Sequence, residues 1–446
     1  MKKISVLFAL LALSLPQARA ETLSEALTNA YQTNPQLQAA QAELRAVDNQ
    51  VAVALSGWRP SVTGSAGINW QETDRLLPTA GKGVSTPRDG SISVQQPLFR
   101  GFRTVGASRS AKARVMGTRA RLVAVEQQLL LDAATAYVNV YRDQAVLGLT
   151  KSNEVVLRRQ LEATQDRFDA GEVTRTDVSQ AESRLARAVS DRIQAEGNLE
   201  SSRANYVRIV GRAPEGITKP GVEIPLPASE DEAVETSQFN HPSVAQAEYA
   251  LDQADHDVTT TTGALLPEIS GVAAATRSYD QSFVGPHRVD TTSVGVRATI
   301  PLYTGGADYA RIRASKQTVA QRQQELDDQV RRAKESAVQA WQQLVTARAA
   351  IDARQKQVSA SEMALEGVKQ ESSVGTRTTI DVLDAEQELL DAKVSLVRAE
   401  RDEIVAIMRT KASVGQLTAK ELGLPVNYYD PALYYDDNAE SWFGVN

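Results

Sequence analysis

The chain has 446 residues, with 49 Lys and Arg against 55 Asp and Glu, 3 His and no Cys. The missing cysteines exclude a disulfide scaffold, a thiolate metal site and a cysteine nucleophile. A formal charge of −6 argues against a nucleic-acid-binding protein, which presents a basic face. Aromatic residues make up only 5% of the chain, which favours long packed helices with a thin core of Ala, Leu and Val.

The chain begins with the pattern of a secretory signal peptide. Two lysines precede an apolar stretch over 4–15, and small residues at both ends of 18–20 fit a cleavage site. We therefore expect residues 1–20 to be removed; a retained anchor is the alternative. The mature part has no apolar run near the ~18 residues of a spanning helix, which predicts a periplasmic, extracellular or outer-membrane β-barrel protein.

The rest of the chain consists mainly of two similar sequence repeats. The repeats cover 21–225 and 226–418, and a tail over 419–446 follows them. Matching segments stand at an offset of 207 residues, which becomes 204 after one gap between residues 60 and 97. The matches are Asn34-Pro35 with His241-Pro242, Arg59-Pro60 with Leu266-Pro267, Gln96–Gly101 with Ile300–Gly305, Gly171–Leu185 with Gly375–Leu389, and Val210-Gly211 with Val414-Gly415. So many matches at fixed offsets indicate an internal duplication.

Each repeat is predicted to read helix, strand, strand, long helix, short helix. A helical pattern over about 24–56 ends at Pro60, and a loop is expected over 71–89. Pro97 is expected to end the second strand, and alternation is poor through the alanines at 273–275. A period of two predicts strands over about 60–70, 90–99, 268–279 and 291–301.

The long helices are predicted from the absence of proline between paired glycines, Gly101 to Gly171 and Gly305 to Gly375. At 1.5 Å per residue each helix would be about 100 Å long. Return helices are expected over about 173–210 and 377–414. This arrangement predicts a rod of antiparallel helices with a strand hairpin at one end; the alternative is a soluble helical bundle.

Four strands cannot close a barrel alone, because single-chain bacterial barrels begin at eight strands. Open edges are not tolerated in lipid, so other chains must complete the sheet or the strands must lie in water. Two chains would supply eight strands and three would supply twelve. Aromatic residues at the helix–strand junctions fit a membrane-interface belt, with local packing as the alternative. They are Trp58, Phe99, Phe102 and Tyr303.

Each long helix ends at a glycine that is soon followed by a helix start. Gly171 and Gly375 can adopt the left-handed conformation that ends a helix. The segments 174–177 and 378–381 both read Thr-x-x-Asp, which is the capping-box pattern. The residues alone therefore indicate that both aspartates start the return helices.

Asp384 is not explained by capping. It lies one turn beyond Asp381 on the same helical face, and the first repeat has Gln180 in its place. Repeated around a symmetry axis, the two aspartates would form acidic rings that attract cations and narrow a pore. A solvated helix face is the alternative.

The segment Val374–Ala385 closely resembles the tip motif of TolC-family outer-membrane channels. The likeness extends over about 22–418, and the strand exit at 97–101 looks most like the type I secretion branch. The resemblance implies a mainly α fold with a membrane β-barrel: a homotrimer whose twelve-stranded barrel is continued by a periplasmic α-helical barrel. It also implies partners: a periplasmic adaptor, an inner-membrane ABC exporter or proton-driven pump, and outer-membrane lipid.

The resemblance also suggests roles for individual residues. The implied roles are the pore constriction for Asp381 and Asp384, links that hold the entrance closed for Thr176, Asp177 and Arg377, and tip turns that dock the adaptor for Gly171, Val374, Gly375 and Thr376. Ser372 occupies the aromatic position of the family's lock, so we expect the closed state to be held differently.

The favoured function is a passive exit duct in the outer membrane of a Gram-negative bacterium, for type I protein secretion, multidrug efflux or both. An enzyme is disfavoured, because the three His lack metal-ligand spacing and no phosphate loop or nucleophile elbow occurs. A periplasmic scaffold or adhesin built of helical rods is the alternative. No cofactor and no nucleic-acid partner are expected. The tail, rich in Tyr and Trp, suggests a segment wrapped on the helices; a disordered tail is the alternative.

Overall fold

The computed structural model describes residues 21–75, 81–221, 224–281 and 287–444. The predicted signal peptide lies outside the described residues. The chain divides into two compact units, each assembled from three stretches. The helical unit comprises Met1–Gln38, Val125–His241 and Lys334–Tyr428, and the strand unit comprises Ala39–Ala124, Pro242–Ala333 and Tyr429–Asn446.

The two repeats share one order of helices and long strands, the first repeat has two additional short strands between its long ones, and the tail adds one short helix. The helices are α1 Leu23–Thr33, α2 Pro35–Leu55, α3 Arg103–Asp169, α4 Arg175–Val210, α5 Glu230–Asn240, α6 Pro242–Thr262, α7 Ala307–Ser373, α8 Thr379–Ser413 and α9 Pro431–Asn438. The strands are β1 Ser61–Ile68, β2 Gln71–Arg75, β3 Gly81–Ser85, β4 Arg88–Arg100, β5 Glu268–Tyr279 and β6 Arg288–Thr299. Both α3 and α7 have 67 residues, so each is about 100 Å long. None of the helices in the described ranges is long and apolar enough to cross a bilayer.

The helix expected over 24–56 is broken in two, which corrects the prediction from sequence. Asn34 is extended, at φ −71° and ψ 124°, because the ring of Pro35 disfavours a helical residue before it. The Asn34 Oδ1 accepts from the N–H of Gln36 at 2.8 Å, and its Nδ2 donates to the carbonyl of Ile209 at 2.9 Å. The break therefore fastens the start of α2 to the end of α4.

The four long strands form one antiparallel sheet in the order β1-β4-β5-β6. Its register places apolar and polar residues on opposite faces, because partners across strands point the same way. One row contains Val62, Val94, Ala273 and Val294, and the next row contains Thr63, Ser93, Ala274 and Ser293. In these rows the sheet thus has one apolar face and one small polar face, and the apolar face ends in the ion pair of Arg277 with Asp290.

Pro97 does not end β4, contrary to the expectation from sequence. The strand continues to Arg100, and Leu98 is the extra residue between the pairs Pro97–Ser270 and Phe99–Ile269. Proline is tolerated at a bulge, and here it also lies beyond Gln95, the last residue of β4 that pairs with β1. The missing N–H therefore breaks no bond to β1.

The loop expected over 71–89 contains a second, two-stranded sheet. β2 and β3 pair in antiparallel register from Gln71–Ser85 to Arg75–Gly81. Their sequences are polar and contain two glycines, so they lack the apolar alternation by which a strand is recognised. The two strands are therefore defined by their backbone pairing and not by a pattern of apolar residues.

Small residues allow α6 and α3 to meet closely where they join the sheet. Gly101 has φ +59°, and a Cβ added to it would lie 2.3 Å from the carbonyl oxygen of Gly263. A Cβ on Gly263 would lie 2.1 Å from the carbonyl oxygen of Gly101. The junction therefore requires glycine on both chain segments.

The helical unit has a core of small and aliphatic side chains. Leu157 of α3, Ala188 of α4 and Leu383 of α8 form one buried cluster, and Leu344 of α7 packs against Ala406 and Ile407 of α8 in another. These contacts connect the long helices to the return helices, as the repeated apolar pattern predicts.

Replacing Gly101 by Ala should destabilise the strand unit more than the same change at Gly305, its counterpart in the second repeat. Gly305 has φ +67° but no atom within 4 Å of an added Cβ. The left-handed backbone costs about 1–2 kcal/mol in both variants, and the overlap with Gly263 adds about 1–3 kcal/mol in Gly101→Ala only. Denaturant midpoints of the purified proteins would measure this, and equal losses would contradict the close contact.

Candidate functional site at the helical tips

The site consists of the two turns that join α3 to α4 and α7 to α8, both within the helical unit. Gly171 and Gly375 have φ +79° and +82°, as predicted for left-handed helix ends. The N–H of Gly375 donates to the carbonyl of Ser372 at 3.1 Å, and the N–H of Thr376 donates to the carbonyl of Glu371 at 3.0 Å. These bonds pair carbonyls at the end of α7 and leave the exposed turn fixed in shape.

Both predicted capping boxes are present. The Asp381 Oδ2 accepts from the N–H of Thr378 at 2.9 Å and from its hydroxyl at 2.7 Å, and Thr378 Oγ1 accepts from the N–H of Asp381 at 3.4 Å. Asp177 makes the same three bonds with Thr174, at 2.8, 2.7 and 3.4 Å. The hydroxyl and backbone hydrogen bonds lower the pKa of Asp381 and of Asp177. Both carboxylates are therefore charged at neutral pH while they start their helices.

Asp384 is bound to α4 by an ion pair. Its Oδ1 accepts from Nη2 of Arg184, and the side chains are 57% and 33% exposed. The pair joins the return helix of one repeat to that of the other within one chain. The structure thus places a positive charge beside one of the two aspartates that were expected to carry the acidic rings.

Other predicted residues of the entrance have local partners. Arg377 donates from Nε to Glu371 Oε2 at 2.9 Å, and this hydrogen bond raises the pKa of Arg377. Thr176 lies exposed in the first turn of α4. Within this single chain the structure does not bring Arg377 together with Thr176 or Asp177 by any described hydrogen bond or ion pair.

The junction aromatics lie in the strand unit and are mostly exposed. Phe99 and Phe102 stack edge to face with ring centroids 5.4 Å apart. Phe102, Trp58 and Tyr303 are exposed large side chains. Part of the cluster therefore packs locally, and the rest faces outward.

Arg184 is the residue that the analysis of the sequence missed. A signal for it exists in the duplication: at the offset of 204, Gln180 and Arg184 correspond to Asp384 and Glu388. The repeats thus differ by charge at two adjacent turns of the same face. A comparison of charges between the repeats would have found this pair.

The duplicated helices, the sheet and the tips fit the class of outer-membrane channel proteins, and comparisons with known proteins agree. The model of the family described as "Outer membrane efflux protein" matches residues 26–212 and 233–415. The Outer membrane efflux protein BepC of Brucella suis is 36% identical over 431 residues, with 96% of this chain and 92% of that protein covered. The Alkaline protease secretion protein AprF of Pseudomonas aeruginosa is 26% identical, with 89% and 84% covered.

A solved structure shows the same fold. The Campylobacter jejuni CmeC outer membrane channel matches with a TM-score of 0.81 at 16% identity, covering 94% of this chain and 89% of that one. The chain belongs to the outer membrane efflux protein family, which confirms the predicted TolC-family resemblance, the export-channel function and the outer-membrane location. The scaffold alternative is thereby excluded, and the relatives are channel proteins rather than enzymes.

The tips should loosen in acid. Because the folded-state pKa of Asp381 lies below its ordinary value of 3.8, its stabilising contribution is complete above that value and is lost as the pH falls through the lowered pKa. Hydrogen exchange of the first-turn amides of α8, corrected for the intrinsic rate, should show less protection below about pH 3.5.

Asp381→Asn is the matched control, because asparagine can still accept the bond from Thr378 but does not titrate in this range. Its protection should not change with pH. Loss of protection to the same extent in both proteins would contradict the role of the Asp381 carboxylate.

Proposed function

We propose that three copies of this chain form one passive duct, with a closed barrel of twelve strands and an entrance made by the helical tips. The observation that carries the proposal is the sheet of the strand unit. Among the described residues, β1 pairs only with β4 and β6 pairs only with β5, and every residue of β6 is exposed. Lipid does not tolerate such open edges.

The order of the strands supports closure between copies. Neighbouring strands are antiparallel throughout the sheet, so β1 and β6 run in opposite directions. The β6 edge of one copy can therefore pair with the β1 edge of the next in the same antiparallel pattern. The apolar row that includes Val62 and Val294 would then face lipid, and the row of Ser and Thr would face water in the lumen.

The tips supply the entrance and the docking surface in this proposal. Asp381 and Asp384, repeated in three copies, would form two acidic rings at the constriction. Arg184 would compensate the charge of Asp384 while the tips are closed, and this ion pair takes the place of the aromatic lock that Ser372 cannot provide. Val374, Gly375 and Thr376 are exposed at the turn and would contact a periplasmic adaptor.

The energy for export would come from an inner-membrane pump that reaches the duct through the adaptor. The 36% identity to a protein named for efflux favours small-molecule cargo and a proton-driven pump. The 26% identity to a protein named for alkaline protease secretion favours a secreted protein and an ABC exporter. The class of pump that is captured with the adaptor distinguishes small-molecule efflux from protein secretion.

A photo-crosslinking residue at Thr376 should capture the adaptor in living cells, whereas the same residue at Thr318, an exposed threonine of α7, should not. Gly375→Val should reduce capture at Thr376, because valine is strained at φ +82°. Mass spectrometry of the product would identify the adaptor and its pump. Normal export without any adaptor at Thr376 would contradict docking at the tips.

The double variant Asp381→Asn and Asp384→Asn should weaken the block of the channel by a trivalent cation by about tenfold or more, because the rings lose their charge. Arg184→Gln should have the opposite effect, since Asp384 then keeps its charge uncompensated. Single-channel conductance in planar bilayers would measure both. Asp391→Asn, which removes an exposed carboxylate of α8 outside the tip, is the control. Equal block in the unmodified channel and in all three variants would contradict the acidic rings.

A further inference from the structure

We propose that the end of the tail is a membrane anchor, in which Trp442 and Phe443 enter the lipid headgroup region on the periplasmic side of the outer membrane. The proposal rests on the outer-membrane position of the sheet and concerns a segment outside both repeats. The segment Asp430–Gly444 is called the tail strap below. Its described contacts lie within the strand unit.

The first part of the tail strap is docked on α2 and α3. Asp430 caps α9 by accepting from the N–H of Ala432 at 2.8 Å. Asn49 of α2 donates to the hydroxyl of Tyr434 at 3.0 Å, and Arg119 of α3 donates to the carbonyl of Pro431 at 3.1 Å. The Arg119 guanidinium also lies 5.3 Å from the ring centroid of Tyr435. These bonds fix α9 along the two helices that lead into the sheet.

The second part of the tail strap is held by one side chain at the base of β1. Arg59 donates to the carbonyl of Ser441 at 2.6 Å and to the carbonyl of Glu440 at 3.0 Å. Its guanidinium lies 4.8 Å from the ring centroid of Trp442, within the range of a cation–π contact. Because Arg59 stands two residues before the first residue of β1, it fixes the end of the strap at the level where the strands begin.

The strap thereby brings large aromatic side chains to this level and leaves them uncovered. Trp442 is 60% exposed and Phe443 is 93% exposed, and the run from Ser441 to Gly444 carries no charged side chain. Trp58, the neighbour of Arg59, is also exposed. Two adjacent exposed aromatics at a fixed position are unfavourable in water and favourable at a membrane interface, where an amphipathic ring meets headgroups.

The occupant of this surface is lipid, for two reasons. Trp442 contacts Arg59, whose chain neighbour Trp58 is also exposed where the strands meet the helices. An Arg–Trp pair with a neighbouring Phe also combines a cation for the phosphate with apolar rings for the upper acyl chains. If a second copy of the chain packed on this surface instead, protein would cover the aromatics. The experiment distinguishes lipid from a second copy.

The test uses the full chain with Trp442 as its only tryptophan, made by replacing Trp58, Trp70 and Trp341 with Phe. The protein is reconstituted in phosphatidylcholine and phosphatidylglycerol vesicles that carry bromine near the headgroup or deep in the acyl chain. Fluorescence of Trp442 should be blue-shifted, and shallow bromine should quench it about twofold or more and deep bromine less. Emission that is unquenched would overturn the proposal: red emission would mean exposure to water, and blue emission would mean burial between copies.

Arg59→Gln should reduce the shallow quenching, because the strap loses its two carbonyl contacts and its cation–π contact. Arg109→Gln, which removes an exposed arginine of α3, should leave the quenching unchanged. If the single-tryptophan chain does not assemble, Gly444→Cys in the otherwise native chain carries an environment-sensitive fluorophore, because the chain has no other cysteine. Shallow nitroxide lipid should quench this fluorophore, and Arg59→Gln but not Arg109→Gln should reduce the quenching. A fluorophore that shallow nitroxide lipid does not quench would overturn the proposal.

Discussion

A backbone N–H or C=O that enters lipid without a partner costs several kcal/mol, and this constraint governs the strand unit. In the part of the chain that the structure describes, β4 and β5 have neighbours on both sides, whereas β1 and β6 have one each. In the proposed duct, the free edges of β1 and β6 would therefore be paired by neighbouring copies. The two faces of the sheet obey the same constraint, since an apolar row such as Val62 and Val294 is useful only against lipid and a row of Ser and Thr only against water. Assembly and membrane insertion are, on this view, one requirement.

The two repeats are alike in their helix caps and helix breaks but differ in the charges at the tips. The caps are equivalent in both repeats, with Asp177 and Asp381 in the same three hydrogen bonds. The helix breaks before Pro35 and Pro242 are equivalent too. By contrast, Asp384 has no acidic counterpart in the first repeat. Asp384 is therefore a position at which the two repeats have the same helix but a different charge.

Much of the fold follows from local signals in the sequence. Proline-free stretches between glycines predict the two helices of 67 residues, and Thr-x-x-Asp predicts the caps, because these signals act within a few residues. The misses are of another kind. The bulge at Leu98 and the pairing of Arg184 with Asp384 are decided by partners distant in sequence. The ribbon of β2 and β3 is a local pairing, but its polar residues lack the alternation by which a strand is recognised. The alanines at 273–275 alternate poorly because their register, and not their hydrophobicity, assigns Ala273 to one face and Ala274 to the other.

In the proposed duct, the small strength of the Arg184–Asp384 pair suits an entrance that opens. Exposed ion pairs contribute at most about 1 kcal/mol, which corresponds to less than a tenfold change in an equilibrium. Asp384 is 57% exposed, so its bond to Arg184 competes directly with water and with cations. In the proposed duct, a docking adaptor would therefore separate the return helices without a large input of energy, and the separation itself would expose the negative charge. In such a design the same movement opens the entrance and changes its preference for ions, with Arg184 as the residue that couples the two.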